Sequence, residues 1–236
     1  MTYNLQEQFY AIGDVHGRYD LLKRAFKHIL TDSNNYYGNP TPQIVLTGDY
    51  IDGGPQSKEV LEFLMTHPLK PLCLKGNHED AFEDFLLNPF PKHPWLLHYR
   101  SAPTVESLGI ANLPPSKLFS AMRPYYDFIS KLPLTAANKH FFLCHAGIDP
   151  TLPLENQSEE DLLTIRAKFL LATKFPFCSQ RIIHGHTINE SNLVEIGDKI
   201  IGIDTNPVNS NTLGVVRVDG EDVTAINVQL QVAALQ

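Results

Sequence analysis

The stretch Phe9-Tyr10-Ala11-Ile12-Gly13-Asp14-Val15-His16-Gly17 joins an apolar run to a turn that carries an acid and a histidine. The run at residues 9–12 has the length and composition of a buried β-strand. Glycines on both sides of Asp14-Val15-His16 favour a sharp strand-to-loop turn. Side chains alternate along an extended segment, so Asp14 and His16 point to the same face. We therefore predict a strand that ends in two candidate metal ligands.

Four more motifs follow predicted strands in the same way. They are Gly48-Asp49-Tyr50-Ile51-Asp52, Gly76-Asn77-His78-Glu79, His145-Ala146-Gly147 and His184-Gly185-His186. The carboxyl ends of strands in an open α/β sheet face one crevice, so we expect all five motifs to converge. Their Asp, Asn and His side chains supply mixed oxygen and nitrogen donors, which suit manganese, iron or zinc. Two such cations about 3.5–4 Å apart can acidify a shared water and clamp a phosphoryl oxygen.

Apolar runs of strand length alternate with segments of helical period along the N-terminal part of the chain. We predict strands at 9–12, 44–47, 71–74, 140–144, 181–183, 193–196, 199–203, 213–218 and 222–230. We predict helices at 19–30, 57–66, 79–87, 116–132 and 159–171. The early alternation favours a mainly parallel sheet, whereas the C-terminal third is rich in strands.

Composition limits the class of protein. The 236 residues are 43% hydrophobic and 19% charged, which is typical of a globular protein, and we expect one domain over 1–236. A formal charge of −7 disfavours nucleic acid as a partner. No apolar run approaches the roughly 18 residues that span a bilayer, and no signal peptide is recognisable, so we expect a cytoplasmic protein without a membrane partner. Three unpatterned cysteines argue against a disulfide framework.

The motifs GDVHG, GDYID, GNHE, HAG and HGHT occur in this order between about residues 9 and 203. This ordered set resembles the protein serine/threonine phosphatase family of the metallophosphoesterase fold, in its small bacterial and phage-type branch. The resemblance implies an α/β fold of the calcineurin-like metallophosphoesterase type, a sandwich of two mixed β-sheets flanked by helices. It also implies two divalent metal ions, with Mn²⁺ preferred over Fe or Zn, and a phosphoprotein or phosphopeptide as substrate.

The resemblance also implies a role for each matched residue. The implied metal ligands are Asp14 and His16 for the first ion, Asp49 as the bridge, and Asn77, His145 and His186 for the second ion. His78, paired with Asp52, would protonate the leaving alkoxide, which is a poor leaving group without an acid. Arg166 stands where the family has a phosphate-binding arginine. The implied mechanism is direct attack by a metal-bridging hydroxide, without a covalent enzyme intermediate.

The sequence departs from the family pattern GDxxDRG at one position, because Gly53 takes the place of an arginine that grips the substrate phosphate. Glycine cannot replace the charge-assisted bonds of a bidentate arginine, so we expect metal binding to survive and phosphate affinity to fall. The bulky segment Leu97-His98-Tyr99-Arg100-Ser101 replaces an Asn-Gly-Gly-type loop, and we hypothesise that Arg100 supplies the missing charge. A further departure, Asp204-Thr205-Asn206-Pro207, has no functional interpretation from sequence.

Three functions are compatible with these patterns. The first is a protein phosphatase that acts on phosphoserine or phosphothreonine, and on phosphotyrosine if its specificity is dual; the pair of His78 and Asp52 favours it. The second is a dinucleoside-polyphosphate hydrolase, which shares most of the motifs and has a phosphate as its leaving group. The third is a phosphate-sensing or partner-binding module with little catalytic activity, which Gly53 favours. The sequence leaves the oligomeric state open.

Overall fold

The computed structural model describes residues 2–230. Its strands are β1 (Thr2–Asn4), β2 (Gln8–Ile12), β3 (Ile44–Leu46), β4 (Leu72–Cys73), β5 (Thr135–Ala137), β6 (Phe141–Cys144), β7 (Arg181–His184), β8 (Glu195–Ile196), β9 (Ile200–Gly202), β10 (Thr212–Asp219) and β11 (Asp222–Gln229). Its helices are α1 (Tyr19–Tyr37), α2 (Ser57–Thr66), α3 (Asn77–Leu87), α4 (Pro94–His98), α5 (Ala102–Ser107), α6 (Pro115–Ile129), α7 (Glu159–Thr164), α8 (Ala167–Leu170) and α9 (Pro207–Ser210).

The strands form two mixed sheets, which confirms the expected fold class. One sheet has the order β11-β10-β2-β3-β4, in which β2, β3 and β4 are parallel and the β10–β11 hairpin is antiparallel. The other has the order β1-β5-β6-β7-β9-β8, in which β6, β7 and β9 are parallel. The parallel strands of each sheet place their carboxyl ends at one edge, where the polar motifs begin.

The alternation of side chains along β2 shows how the layers pack. Phe9 and Ala11 belong to a buried cluster that joins the two sheets, together with Leu143 and Ile183 of the opposite sheet. Tyr10 and Ile12, which point to the opposite face of β2, pack against α1, α2, α3 and α6 in a second buried cluster. A third cluster lies between the other sheet and helices α7 and α8. The molecule is therefore a helix–sheet–sheet–helix sandwich, in which the central strands of both sheets are buried on both faces.

Most predicted strands are confirmed within one or two residues. The parallel arrangement predicted from the early alternation holds for β2, β3 and β4, whereas antiparallel strands complete both sheets. The short strands β1 and β5 were not predicted, since small and polar residues give them no apolar run. The predicted helix at 159–171 is broken into α7 and α8, because Ile165 is extended (ψ 143°) and Arg166 is non-helical (ψ −99°).

Within residues 2–230, no helix combines the length and the apolarity that crossing a bilayer requires.

Candidate active site

The five motifs meet at the carboxyl ends of β2, β3, β4, β6 and β7. Their donor atoms form two groups that share one carboxylate: His16, Asp49 and His78 in the first, and Asp49, His145 and His186 in the second. The donor atoms within each group lie within 4.8 Å of one another. The two remaining residues predicted as ligands, Asn77 and Asp14, lie against the second group through His186. The structure thus brings together all six residues predicted as metal ligands.

The second group consists of acceptors that face one another. The Nδ1–H of His145 donates to the carbonyl of Thr47 at 2.9 Å, so its Nε2 carries a lone pair. That Nε2 lies 2.9 Å from Oδ1 of Asn77 and 3.4 Å from Oδ1 of Asp49. Nδ1 of His186 also lies 2.9 Å from Oδ1 of Asn77. Lone pairs that converge without a shared proton fit a cation, so this donor set suits a divalent metal ion.

The first group is arranged in a similar way. The Nδ1–H of His16 donates to the carbonyl of Ile51 at 3.0 Å, which leaves its Nε2 facing Oδ2 of Asp49 at 3.7 Å. Oδ2 of Asp14 accepts the backbone N–H of His186 at 2.9 Å, while its buried Oδ1 has no hydrogen-bond partner in residues 2–230. A Cβ at Gly185 would lie 1.9 Å from that oxygen, so only glycine fits beside it. The unpaired buried oxygen is a further candidate donor to a cation at this edge of the sheets.

Burial sets the protonation of these groups. It raises the pKa of Asp14 well above its usual value, with a further contribution from the neighbouring carboxylate of Asp204. It also raises the pKa of Asp49 to about 7. Burial lowers the pKa of His145 well below its usual value and that of His186 to about 3, so both rings are neutral donors at pH 7. Neutral imidazoles beside crowded carboxylates form a site whose charge a cation would balance.

Asp204 belongs to this crowded region. It follows β9 at the same edge, is 3% exposed, and its Oδ1 accepts the backbone N–H of Asn206 at 2.9 Å. After burial, the charge of Asp204 is the largest cause of the raised pKa of Asp14. Sequence reasoning noted the segment at 204–207 without an interpretation. The structure places its first residue beside the predicted ligands.

Glu79 shapes the loop that carries Asp49. Glu79 is fully buried, and burial raises its pKa to about 8. Its Oε2 accepts the backbone N–H groups of Asp49 at 2.8 Å and Gly76 at 3.1 Å. Its Oε1 accepts that of Tyr50 at 2.8 Å. The spacing of Glu79 from Gly76 is that of a capping box, which is the signal that could have identified it.

Several site residues hold a left-handed backbone. The φ angles are 46° for His16, 54° for Asp49, 70° for Asp52 and 61° for His186. Such angles cost roughly 1–2 kcal/mol per residue for side chains with a Cβ. Strain of this kind concentrates at functional sites, where the surrounding structure holds it in place.

His78 lies between the donor groups and a buried carboxylate. Its Nδ1–H donates to Oδ2 of Asp52 at 2.8 Å, and its Nε2 lies 3.7 Å from Oδ2 of Asp49. The Nε1–H of Trp95 donates to the same Asp52 oxygen at 2.8 Å. Trp95 is fully buried, and its bond to Asp52 was not predicted from the sequence. The 43-residue separation leaves no sequence signal for that contact.

The two arginines flank the donor groups on different sides. Nη1 of Arg166 donates to the carbonyl of His186 at 3.2 Å and to Oγ1 of Thr187 at 3.3 Å, on the side of the second group. Arg100 lies beside Gly53, on the side of the first group: Cζ of Arg100 is 3.9 Å from the position that a Cβ of Gly53 would take. The break between α7 and α8 is what turns Arg166 toward the site.

The sandwich and its donor-lined edge define a hydrolase of the metallophosphoesterase type. The chain belongs to the calcineurin-like phosphoesterase family, whose model matches residues 8–208. This family uses divalent metal ions, in agreement with the two donor groups.

Individual relatives match only part of the chain, at moderate sequence identity. The chain is 32% identical over 141 residues to a symmetrical bis(5'-nucleosyl)-tetraphosphatase of Legionella pneumophila, a match that covers 60% of this chain and 45% of the relative. It is 34% identical over 86 residues to a zinc-dependent endopolyphosphatase of Saccharomyces cerevisiae, over 36% of this chain and 25% of that protein. The chain thus covers less than half the length of either relative.

Two solved structures share the fold across nearly the whole chain. One is described as a candidate diadenosine tetraphosphatase, with a TM-score of 0.63, 17% identity and 98% coverage of both chains. The other is a cold-active protein-tyrosine phosphatase of a psychrophilic Shewanella species, with a TM-score of 0.58, 19% identity, and coverage of 97% of this chain and 82% of that one. At these identities the likeness concerns the fold alone.

Proposed function

We propose that this chain hydrolyses the phosphoanhydride chain of dinucleoside polyphosphates at a two-metal site. The observation that carries the phosphohydrolase part is the pair of donor groups that share Asp49. The tetraphosphatase relatives support the substrate, because their match extends over 60% of this chain. A polyphosphate substrate also suits arginines on both sides of the donor groups.

The roles of the residues follow from their positions. Asp14 and His16 would hold one ion, Asp49 would bridge, and Asn77, His145 and His186 would hold the other. Bound divalent cations, Mn²⁺ in our proposal, would supply Lewis acidity and lower the pKa of a water. Arg166 would bind phosphoryl oxygens while its bond to the carbonyl of His186 keeps its guanidinium in place. His78, held by Asp52, would give a proton to the leaving oxygen.

The second candidate is a protein phosphatase, and one observation favours it. The buried Asp52 accepts hydrogen bonds from both His78 and Trp95, and these bonds hold the His78 ring in the orientation that a general acid needs. An alkoxide leaving group from phosphoserine needs such an acid, whereas a leaving nucleoside diphosphate needs it less. The arrangement therefore keeps a phosphoserine or phosphothreonine peptide as the alternative substrate.

The experiment compares diadenosine tetraphosphate, a phosphoserine peptide and p-nitrophenyl phosphate, each with Mn²⁺ and with chelator, by chromatography and phosphate release. We expect diadenosine tetraphosphate to be split with the highest kcat/KM, into two molecules of adenosine diphosphate. Asp49→Asn should abolish turnover. Asp127→Asn, which changes a half-buried aspartate of α6 paired with Arg123, is the matched control. A higher kcat/KM on the phosphopeptide would transfer the assignment to the protein phosphatase. Bound metal without turnover on any ester would indicate a binding module.

A further inference from the structure

Gly53 has no side chain, and the space beside it next to the first donor group is bordered by Val208 and Arg100. Its φ is +79°, and a Cβ there would lie 3.2 Å from Cγ2 of Val208, 3.7 Å from Cβ of His16 and 3.9 Å from Cζ of Arg100. An arginine at this position would therefore be strained and would run against Val208. The guanidinium of Arg100 already lies next to the place where such a side chain would begin.

The backbone fixes the position of Arg100. The N–H of Gly53 donates to the carbonyl of Arg100 at 3.1 Å, which ties the loop after α4 to the loop that carries Asp49 and Asp52. Arg100 has a left-handed φ of 53°. This backbone bond links the two loops at the residue from which the guanidinium extends.

The guanidinium itself is uncommitted. Within residues 2–230, the side chain of Arg100 makes no hydrogen bond and no ion pair, and it is exposed. Arg166, in contrast, is already bonded to the carbonyl of His186 on the other side. Five free N–H donors beside a cluster of metal donors are suited to bidentate binding of phosphoryl oxygens.

We propose that Arg100 is the phosphate-binding residue on the His16 side of the site, in place of an arginine at position 53. The site then has one arginine beside each donor group, Arg100 near His16 and Arg166 near His186. Its ligand is a phosphoryl group, as the free ion or within the substrate. This inference rests on the proposed phosphohydrolase site but not on the identity of the rest of the substrate.

The test measures the dissociation constant for inorganic phosphate by calorimetry, on protein loaded with Mn²⁺. Arg100→Gly suits the left-handed backbone and keeps the carbonyl that accepts from Gly53. We expect phosphate to bind roughly 10- to 100-fold more weakly, since hydrogen bonds to charged groups are lost. The dissociation constant of Arg100→Lys for phosphate should lie between those of the wild type and Arg100→Gly, because lysine keeps the charge but not the planar guanidinium. Arg24→Ala, which removes an exposed arginine of α1, is the control and should leave the constant unchanged.

A second readout separates binding from folding. Added guanidinium ion at millimolar concentration should restore part of the p-nitrophenyl phosphate hydrolysis of Arg100→Gly and leave the wild type unaffected. Equal phosphate constants for wild type and Arg100→Gly, or no phosphate binding by either, would overturn the proposal. If diadenosine tetraphosphate is not hydrolysed while phosphate binding still depends on Arg100, the proposed substrate fails and the role of Arg100 stands.

Discussion

Nδ1 of His78 lies 2.8 Å from Oδ2 of Asp52, and this bond fixes the tautomer and direction of the imidazole. Because the Nδ1–H donates to Asp52, Nε2 is the nitrogen that faces the donor groups. The bond from Trp95 to the same oxygen holds the carboxylate in place.

Substitution of Asp52 should therefore show whether His78 acts as an acid. In Asp52→Asn we expect kcat to fall about 10²–10³-fold on alkyl phosphates such as phosphoserine peptide. On p-nitrophenyl phosphate, whose leaving group needs no proton, the fall should be far smaller. Steady-state kinetics on both substrates provides the measurement, with Mn²⁺ content as the control for an intact metal site. Equal losses on both substrates would remove His78 from the role of acid.

Asp49 is shared by both donor groups, so its replacement should affect both ions. We expect Asp49→Asn to bind Mn²⁺ at least about 10-fold more weakly and to lose most activity, since a carboxylate that bridges two cations has no equivalent in an amide. Metal analysis after dialysis, at equal protein concentration, checks this. Asp127→Asn should match the wild type, and retention of full metal content by Asp49→Asn would contradict the shared position.

Metal binding should also stabilise the fold, because Asp14 and Asp49 are buried and their carboxylates are crowded by Asp204. At a Mn²⁺ concentration 100 times Kd, linkage gives about 2.7 kcal/mol. For a chain of this size that corresponds to a rise in Tm of roughly 5–10 °C. Thermal unfolding with Mn²⁺ and with chelator measures it. An unchanged Tm would mean that the donor groups do not bind the ion.

Glu79 should contribute to stability through the loop it holds. In Glu79→Gln, an amide NH₂ would face backbone N–H groups that now meet a carboxylate oxygen. We expect the free energy of unfolding to fall by about 1–3 kcal/mol, and the affinity for Mn²⁺ to fall as the loop of Asp49 loosens. Urea unfolding and metal titration measure the two effects. Asp80→Asn, on the exposed side of α3, is the control; similar losses there would argue against a specific role of Glu79.

A pH effect on stability should come from Asp149, four residues after His145. Hydrogen bonding from the Lys168 ammonium, at 2.5 Å, lowers the pKa of Asp149 to about 2. Because this folded-state pKa lies below the unfolded value near 3.9, the stabilisation is present above about pH 4 and is lost as pH falls toward 2. Lys168→Met should therefore reduce stability at pH 6 more than at pH 2.5, by urea unfolding. Lys131→Met, an exposed lysine, should show no such difference.

Local sequence patterns predicted the positions of the metal-ligand candidates that directly follow strands. The ligands follow strands at offsets of one to three residues, so Asp14, Asp49 and His145 could be placed by finding where each apolar run ends. Parallel neighbours then bring those offsets to one edge. The resemblance to a known family supplied the pairing of His78 with Asp52, which lies across two loops.

The parts that sequence reasoning missed depend on contacts between distant segments. The bond from Trp95 to Asp52 joins residues 43 positions apart, and no periodicity records it. The break before Arg166 occurs in a segment whose composition is helical, so tertiary contacts override local propensity there. Strand β5 has small side chains and exists because β1 and β6 pair with it on both sides.

The left-handed backbone of His16, Asp49, Asp52 and His186 has a consequence for how this protein can change. Glycine would hold those φ angles without strain, but glycine carries no donor atom. Resistance to heat and the capacity for chemistry therefore make opposite demands on the same four positions. Selection for a more heat-resistant fold would therefore have to act at other positions.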